Sequence, residues 1–562
     1  MKPAARPADS PATGGETTEV GWIDEHRERG VRALVPFAAG DAIHRFTGET
    51  VSEIGQHTLQ ISETQHISGT SIIGYLSHGC APNCRLDMAR FELVATRDIA
   101  AGEVLTIDYA LTEDKLFRQF ACHCGDVDCR RWIIGRAEPI SAEGQAYLQR
   151  LAADPSSPAM TDGFWWRRDD LGYADGRLHF AGHDVAALAE TVEGPLFLYS
   201  AARVAANIAR VRAAMASTGM PHRLYYAMKA NRCGPLLRAL ARDGHCGVDI
   251  CSPNELRLAL DSGFAPAQIS FTGTGVANRD LDRLLAQPEL TINCDSIGMI
   301  RRIGERQPGR AIGIRINAGI GTGYGDAVRL SYAGETTTKF GIYREQWAEA
   351  LAMARRHRLP VTSLHFHVGC GYLDGQLDRW SEAVGASLDF LKDLPEVITV
   401  NIGGGLGVPH RARDAALDLA HWAGILAGHF KGRGVTIAAE PGDYLVKDAG
   451  MLVLSVVDIE RKRDTVFVSV DGGFNLAPEP AYYDLPCEPV ACVPRSMTPR
   501  SWRKVSIAGN INEALDLWAV DHPMPDLREG DRIAFLNAGG YGAAMSSNHC
   551  MRGAFTEKLL DG

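Results

Sequence analysis

A chain of 562 residues exceeds what one hydrophobic core serves, so two or three domains are expected. With 45% hydrophobic and 22% charged residues it has a globular composition, and a net charge of -10 excludes a general nucleic-acid binder, which needs surplus Lys and Arg to neutralise phosphates. The opening MKPAARPADSPATGGETTEV lacks the apolar core of a signal peptide and no run of about eighteen apolar residues exists to span a bilayer, so a cytoplasmic protein without membrane or nucleic-acid partners is expected.

Residues 1–19 are rich in Pro, Ala, Gly, Ser and Thr and read as a disordered tail. Over 20–136, short apolar runs punctuated by Gly and Asp predict a mostly β domain. Here Ser77-His78-Gly79-Cys80-Ala81-Pro82-Asn83-Cys84 precedes Cys122-His123-Cys124-Gly125-Asp126-Val127-Asp128-Cys129. Five of the 13 cysteines fall in this region, which favours a metal site over a disulfide framework. Three thiolates spaced C-x-C-x4-C, with one more cysteine, make a tetrahedral Zn2+ site, structural by default when closed.

These residues resemble the SET-domain protein lysine methyltransferases with their post-SET zinc segment. Arg29-Gly30-Val31 with Phe37-Ala38-Ala39-Gly40-Asp41 looks like that family's opening, SHGCAPN like its N-H-S-C-x-P-N core, and Ala95-Thr96-Arg97-Asp98-Ile99 through Leu105-Thr106-Ile107-Asp108-Tyr109 like its closing strand pair. The resemblance implies S-adenosyl-L-methionine as cofactor, a protein substrate, Tyr109 as the active-site tyrosine, His78 as a cofactor contact, and Cys80 as the fourth zinc ligand beside Cys122, Cys124 and Cys129. Ser77 stands where the family has asparagine and the stretch 48–74 is short for gripping a peptide, so a retained binding or structural module stands beside methyltransferase activity.

A connector rich in Ala, Pro and Ser, 137–162, leads to a body in which strands and helices alternate. Over 163–440, strand-like runs end at Lys229, Ser252, Gly273, Asp295, Asn317, Gly369, Gly403 and Glu440, with amphipathic segments such as 235–241, 254–260, 344–358 and 379–394 between them. Eight such units predict a (β/α)8 barrel with its functional groups at the C-terminal strand ends. In 441–562 the alternation stops and a separate β domain is expected, which the run 196–199 ahead of the barrel is placed to join.

The chemistry concentrates at the strand ends. In Tyr225-Tyr226-Ala227-Met228-Lys229-Ala230-Asn231 an apolar strand delivers a lysine whose expected burial disfavours its charged form, leaving an amine that condenses with an aldehyde. Asn401-Ile402-Gly403-Gly404-Gly405-Leu406-Gly407 offers bare backbone N–H groups to a phosphate at the seventh strand. His365 and His367 share one strand face and suit either a metal or stacking on a flat ring, with no carboxylate partner evident, and Glu440 is an acid held where a ring nitrogen can meet it. A Schiff-base lysine, a phosphate cradle, a stacking imidazole and a carboxylate for a pyridine nitrogen together indicate pyridoxal 5'-phosphate.

Residues 195–560 resemble the diaminopimelate, ornithine and arginine decarboxylases of alanine-racemase-like fold, through YAMKAN, VDICSPNE, KFGI, HVG, GGG, EPG and Gly540-Tyr541-Gly542. That resemblance implies an amino-acid carboxy-lyase with Lys229, His367, Glu440 and Glu513 catalytic, and Asp249, Arg315, Cys370, Gly403, Gly404, Gly405 and Tyr541 completing the cofactor site. It also implies a homodimer sharing its active sites, with the segment around Glu513 reaching across. Four departures mark this chain. Asn512 stands in place of the reactive cysteine, Cys370 in place of a serine, and Asp443 and Glu479 where arginines are expected. Exchanging an arginine for an acid reverses an interaction of about 4 kcal/mol at 4 Å, so a substrate with a cationic or neutral distal end is expected rather than diaminopimelate. A racemase or epimerase on the same fold, or a methyltransferase whose barrel only binds the cofactor, are the competing readings.

Overall fold

The computed structural model describes residues 17–22, 29–55, 57–62, 64–122, 129–141, 143–145, 147–148, 164–334, 336–495 and 502–561. The chain divides into two units, after Arg168.

In the N-terminal unit the short apolar runs form small sheets. Thr18–Trp22, Arg29–Ala33, Val104–Ile107 and Ser77–His78 make one sheet, Ala42–Arg45, Glu92–Ala95 and Cys84–Asp87 a second, and Glu49–Val51, Gln65–Ser68 and Leu59–Ser62 a third. The first of these strands begins inside the stretch expected to be a tail. Val31, Ile72, Leu93 and Leu105 are wholly buried where the sheets meet. Asn83 of the SHGCAPN stretch staples this core: its Nδ2 donates to the Val104 carbonyl at 2.8 Å and its Oδ1 accepts from Thr106 N at 2.8 Å.

In the C-terminal unit eight parallel strands, His222–Ala227, Gly247–Ile250, Ile269–Thr272, Thr291–Cys294, Ile312–Arg315, Val361–His365, Thr399–Asn401 and Thr436–Ala439, close into the expected barrel. Each strand stops short of the motif that was read as its end, for instance at Ala439 rather than Glu440 and at His365 rather than Gly369. The reactive motifs are therefore irregular backbone, free to aim side chains and N–H groups inward. Serines start several of the helices: Ser200, Ser252 and Ser296 each accept from the N–H three residues on. Trp380 and Trp422, on two outer helices, are fully buried with ring centroids 5.9 Å apart.

Beyond the barrel, Gly450–Lys462 is the spine of a β domain, and Leu196–Ser200 does join it, pairing with Gly450–Lys462 and with Thr556–Leu560. A small antiparallel sheet, Leu171–Ala174, Arg177–Phe180 and His183–Asp184, was not anticipated. It docks on the same domain, where Leu178 N donates to the Cys492 carbonyl at 2.8 Å.

One buried acid of the N-terminal unit makes stability depend on pH. Glu113 accepts from Gln60 N, and burial pushes its carboxyl up to about 7. A raised folded-state pKa means stability that is complete below the ordinary glutamate value of 4.5 and is lost as pH rises through 7. The N-terminal transition should lose up to about 3 kcal/mol between pH 4.5 and 8, and E113Q should flatten that slope in pH-dependent melting.

Candidate active site

At the C-terminal mouth of the barrel lies a cleft lined by residues from several strand ends. Lys229 reaches it from a single 3-10 turn, Met228–Ala230, directly after the first strand. Two contacts from Asn231 and Tyr541 hold that turn: Asn231 Nδ2 donates to the Gly539 carbonyl at 2.8 Å, and Tyr541 N donates to the Ala230 carbonyl at 2.8 Å. Tyr541, at φ +56°, is thereby turned into the cleft beside the lysine.

The lysine's charge runs against expectation. Burial acts to lower its pKa, but Cys251, Asp249 and Cys370 act the other way and the net direction is upward.

Glu440 is gripped by three elements. Its Oε2 accepts from His365 Nε2 at 2.9 Å, and its Oε1 from Asn401 Nδ2 at 2.5 Å and Ser270 Oγ at 2.9 Å. Burial pushes its carboxyl up, yet these partners outweigh it and hold the pKa below the ordinary range. The pairing corrects the reading of His365 as lacking a carboxylate: Glu440 is that partner, brought in by the eighth strand. Asp249, also lining the cleft, moves the opposite way, driven up by burial and by Glu440. The two acids thus hold one charge between them, on Glu440.

His367 lies past its strand end with its ring 5.0 Å from that of Tyr332, and burial keeps it neutral. Arg315 pairs with Asp295 at 3.1 Å and lies 4.8 Å over the Phe340 ring. The glycine run is a cradle that no other residue can form. A Cβ at Gly403, Gly404 or Gly405 would come within 2.6, 2.3 or 2.1 Å of the carbonyl oxygens of Phe366, Glu440 or Gly369. Buried Asp249 Oδ1 and His367 Nδ1 have no hydrogen-bond partner in the cleft. Those unsatisfied atoms, the glycine cradle and the lysine fit pyridoxal phosphate.

Lys229, Asp249, Arg315, His367, Cys370, Gly404, Gly405, Glu440 and Tyr541 all line this one cleft, and Gly403 adjoins it. Glu513 does not. It is exposed, 3.3 Å from His549, beside an exposed Asn512, in a loop held by Asp516 accepting from Phe474 N and Ile511 N. Residues that sequence reasoning missed include Ser270, Asn401 and Lys447. Asp443 and Glu479, read as acids in the place of arginines, both pair with fully buried Lys447. The i,i+4 spacing of Asp443 and Lys447 was the signal available for that pair.

In the N-terminal unit, Tyr109 Oη donates to the Leu76 carbonyl at 2.5 Å and Tyr109 N to His78 Nδ1 at 3.2 Å. His78 Nε2 lies 3.4 Å from Cys80 Sγ, which is 3.8 Å from Cys122 Sγ. Among the described residues these three form the one group of potential metal ligands within 4.8 Å of one another. His78, expected against a cofactor, thus faces the thiols. Cys129 is buried in the same cluster, and Cys124 lies outside the described residues.

Comparison with known proteins agrees with this geometry. Residues 202–447 match the pyridoxal-dependent decarboxylase, pyridoxal binding domain, and residues 28–110 the SET domain. A diaminopimelate decarboxylase of Methanothermobacter thermautotrophicus is 31% identical over 406 residues, 68% of this chain and 91% of that relative. One from Pseudomonas aeruginosa is 32% identical over 410 residues, 70% and 94% of the two chains. The crystal structure of M. jannaschii diaminopimelate decarboxylase with L-lysine superposes with a TM-score of 0.64 at 27% identity, covering 70% of this chain and 93% of that one. The chain belongs to the family of pyridoxal-dependent decarboxylases, related to diaminopimelate decarboxylase and preceded by a SET domain.

Proposed function

We propose that the C-terminal unit removes the α-carboxylate of an amino acid whose distal end is cationic or neutral. The observation that carries this is the joint presence, in one cleft, of Lys229, the Gly403–Gly405 cradle and an ionised Glu440 clamped by His365, Asn401 and Ser270. Pyridoxal phosphate, when bound, supplies an electron sink for charge developing at the substrate's α carbon. Lys229 would anchor it, the glycine run and Tyr541 would hold its phosphate, and His367 would lie on the ring face. Glu440, kept anionic, would hold a proton on the cofactor's ring nitrogen, whereas an arginine in its place would not. This favours carboxyl loss over racemisation.

Substrate choice follows from the missing arginines. The pairing of Asp443 and Glu479 with Lys447 removes the full charge reversal expected from sequence. It exposes no cation, since Lys447 is wholly buried and Arg315 is spent on Asp295. Among the described residues at this end of the cleft no unpaired cation faces a distal carboxylate, which supports ornithine-, lysine- or arginine-like substrates. Exposed Glu513 suits a loop that completes the site of a second copy, so a homodimer with shared sites is part of this proposal.

For the SET unit we propose a zinc-stabilised module that takes S-adenosylmethionine and a protein lysine, with Tyr109 at the reacting centre and Cys80, Cys122, Cys124 and Cys129 as ligands. Its support is the gathering of Cys80, Cys122 and Cys129 around His78 and Tyr109.

K229A should lose both the visible cofactor absorption and carbon dioxide release, and E440Q should retain the absorption while kcat falls on the order of 10²-fold. In a turnover assay across amino acids, lysine, ornithine or arginine should exceed meso-diaminopimelate, and a clear preference for diaminopimelate would overturn the substrate assignment. Chelation, or C122S, should release one zinc per chain by elemental analysis and lower the N-terminal Tm by about 5 °C or more.

A further inference from the structure

The acids that stand in place of arginines bear on more than the substrate's distal end. Asp443 lines the wall at one end of the barrel cleft, opens the helix Asp443–Val446, and pairs at 3.0 Å with Lys447 one turn on. Lys447 also pairs with buried Glu479. The glycine run borders this end: a Cβ at Gly404 would sit 3.2 Å from Pro441 Cα, and one at Gly540, next to Tyr541, would sit 3.1 Å from Asp443 Oδ1. Lys447 Nζ lies 5.6 Å from the Tyr541 ring centroid. Backbone suited to a phosphate therefore adjoins two carboxyls that share one ammonium.

Several surrounding groups leave that balance unchanged. His410 is kept neutral by burial, with a pKa of about 3, and burial pushes the Cys487 thiol up to about 12. Burial likewise raises Cys370 and Tyr541, and the neighbouring Cys370 together with burial raises Tyr332, so all three stay protonated. Asp448 is matched by Arg203 and Arg411 by Asp484. With both carboxyls ionised, the triad of Asp443, Glu479 and Lys447 is net negative, and a phosphate of charge near -2 is repelled. Burial pushes Glu479 up to about 7, against the pull of Lys447, and raises Asp443 as well, so two carboxyls sharing one ammonium are poised to take up a proton.

Resting on the reading of this cleft as a pyridoxal phosphate site, we propose that its phosphate end is a proton-coupled anion site: the phosphate group enters together with one proton from solvent, taken up by Glu479, which leaves Lys447 paired with Asp443 and the triad neutral. An arginine in the family's place would bind phosphate without this coupling.

Pyridoxal 5'-phosphate and pyridoxal differ only at that end. Titration of the full-length chain, stripped of cofactor, with each of them at pH 8 by calorimetry in two buffers of different ionisation enthalpy counts the protons taken up. The phosphate form should take up about one proton more than pyridoxal. Its affinity relative to pyridoxal should fall about tenfold per pH unit above pH 7, and E479Q should abolish both effects. Equal proton counts for the two ligands in the unmodified chain would overturn the proposal, as would a pH slope unchanged in E479Q. Failure of the unmodified chain to form a visible band that K229A lacks would instead remove the cofactor reading itself, and this inference with it.

Discussion

A buried carboxylate survives only if its lost hydration is replaced, and the barrel is arranged to do that for Glu440. Three donors meet it, from His365, Asn401 and Ser270, each at the end of or within a different strand. These partners keep Glu440 ionised in a site where its neighbour Asp249 is driven toward the neutral form. Without that clamp the two acids would share a proton differently, and the cleft would present no fixed negative charge to a ring nitrogen. Removing one donor is costlier than its own hydrogen bond suggests, because the others then hold an under-solvated charge.

A second constraint is steric. The glycine run leaves no room for side chains against Phe366, Glu440 and Gly369, so seventh strand, eighth strand and the HVG loop approach at backbone contact. Asn231 and Tyr541 add the third side, tying the lysine turn to the β domain. The cleft is thus built from the backbone of four segments far apart in sequence, and its charged groups are mounted on that frame.

In the N-terminal unit the same logic is visible at smaller scale. Asn83 replaces missing sheet hydrogen bonds across a loop, and the adjacent Cys80 is carried toward Cys122 and His78. The cysteine spacing predicts a metal, because ligands on one short run can reach a single tetrahedral ion together. The approach of His78 to those thiols depends on the parallel pairing of Ser77–His78 with Val104–Ile107, which no local pattern encodes.

What the sequence by itself determined is the barrel, the joining of Leu196–Ser200 to the β domain, and the placing of Lys229, the glycine run and Glu440 at strand ends. Strand and helix periodicity, glycine content and the placing of reactive residues at strand ends are local properties, written along the chain. Only the tertiary structure decided the charges. The upward shift of the Lys229 pKa, the pairing of His365 with Glu440, and the absorption of Asp443 and Glu479 by Lys447 each depend on groups from separate segments meeting in a water-poor interior. Electrostatic energy varies with distance and burial, and sequence order specifies neither.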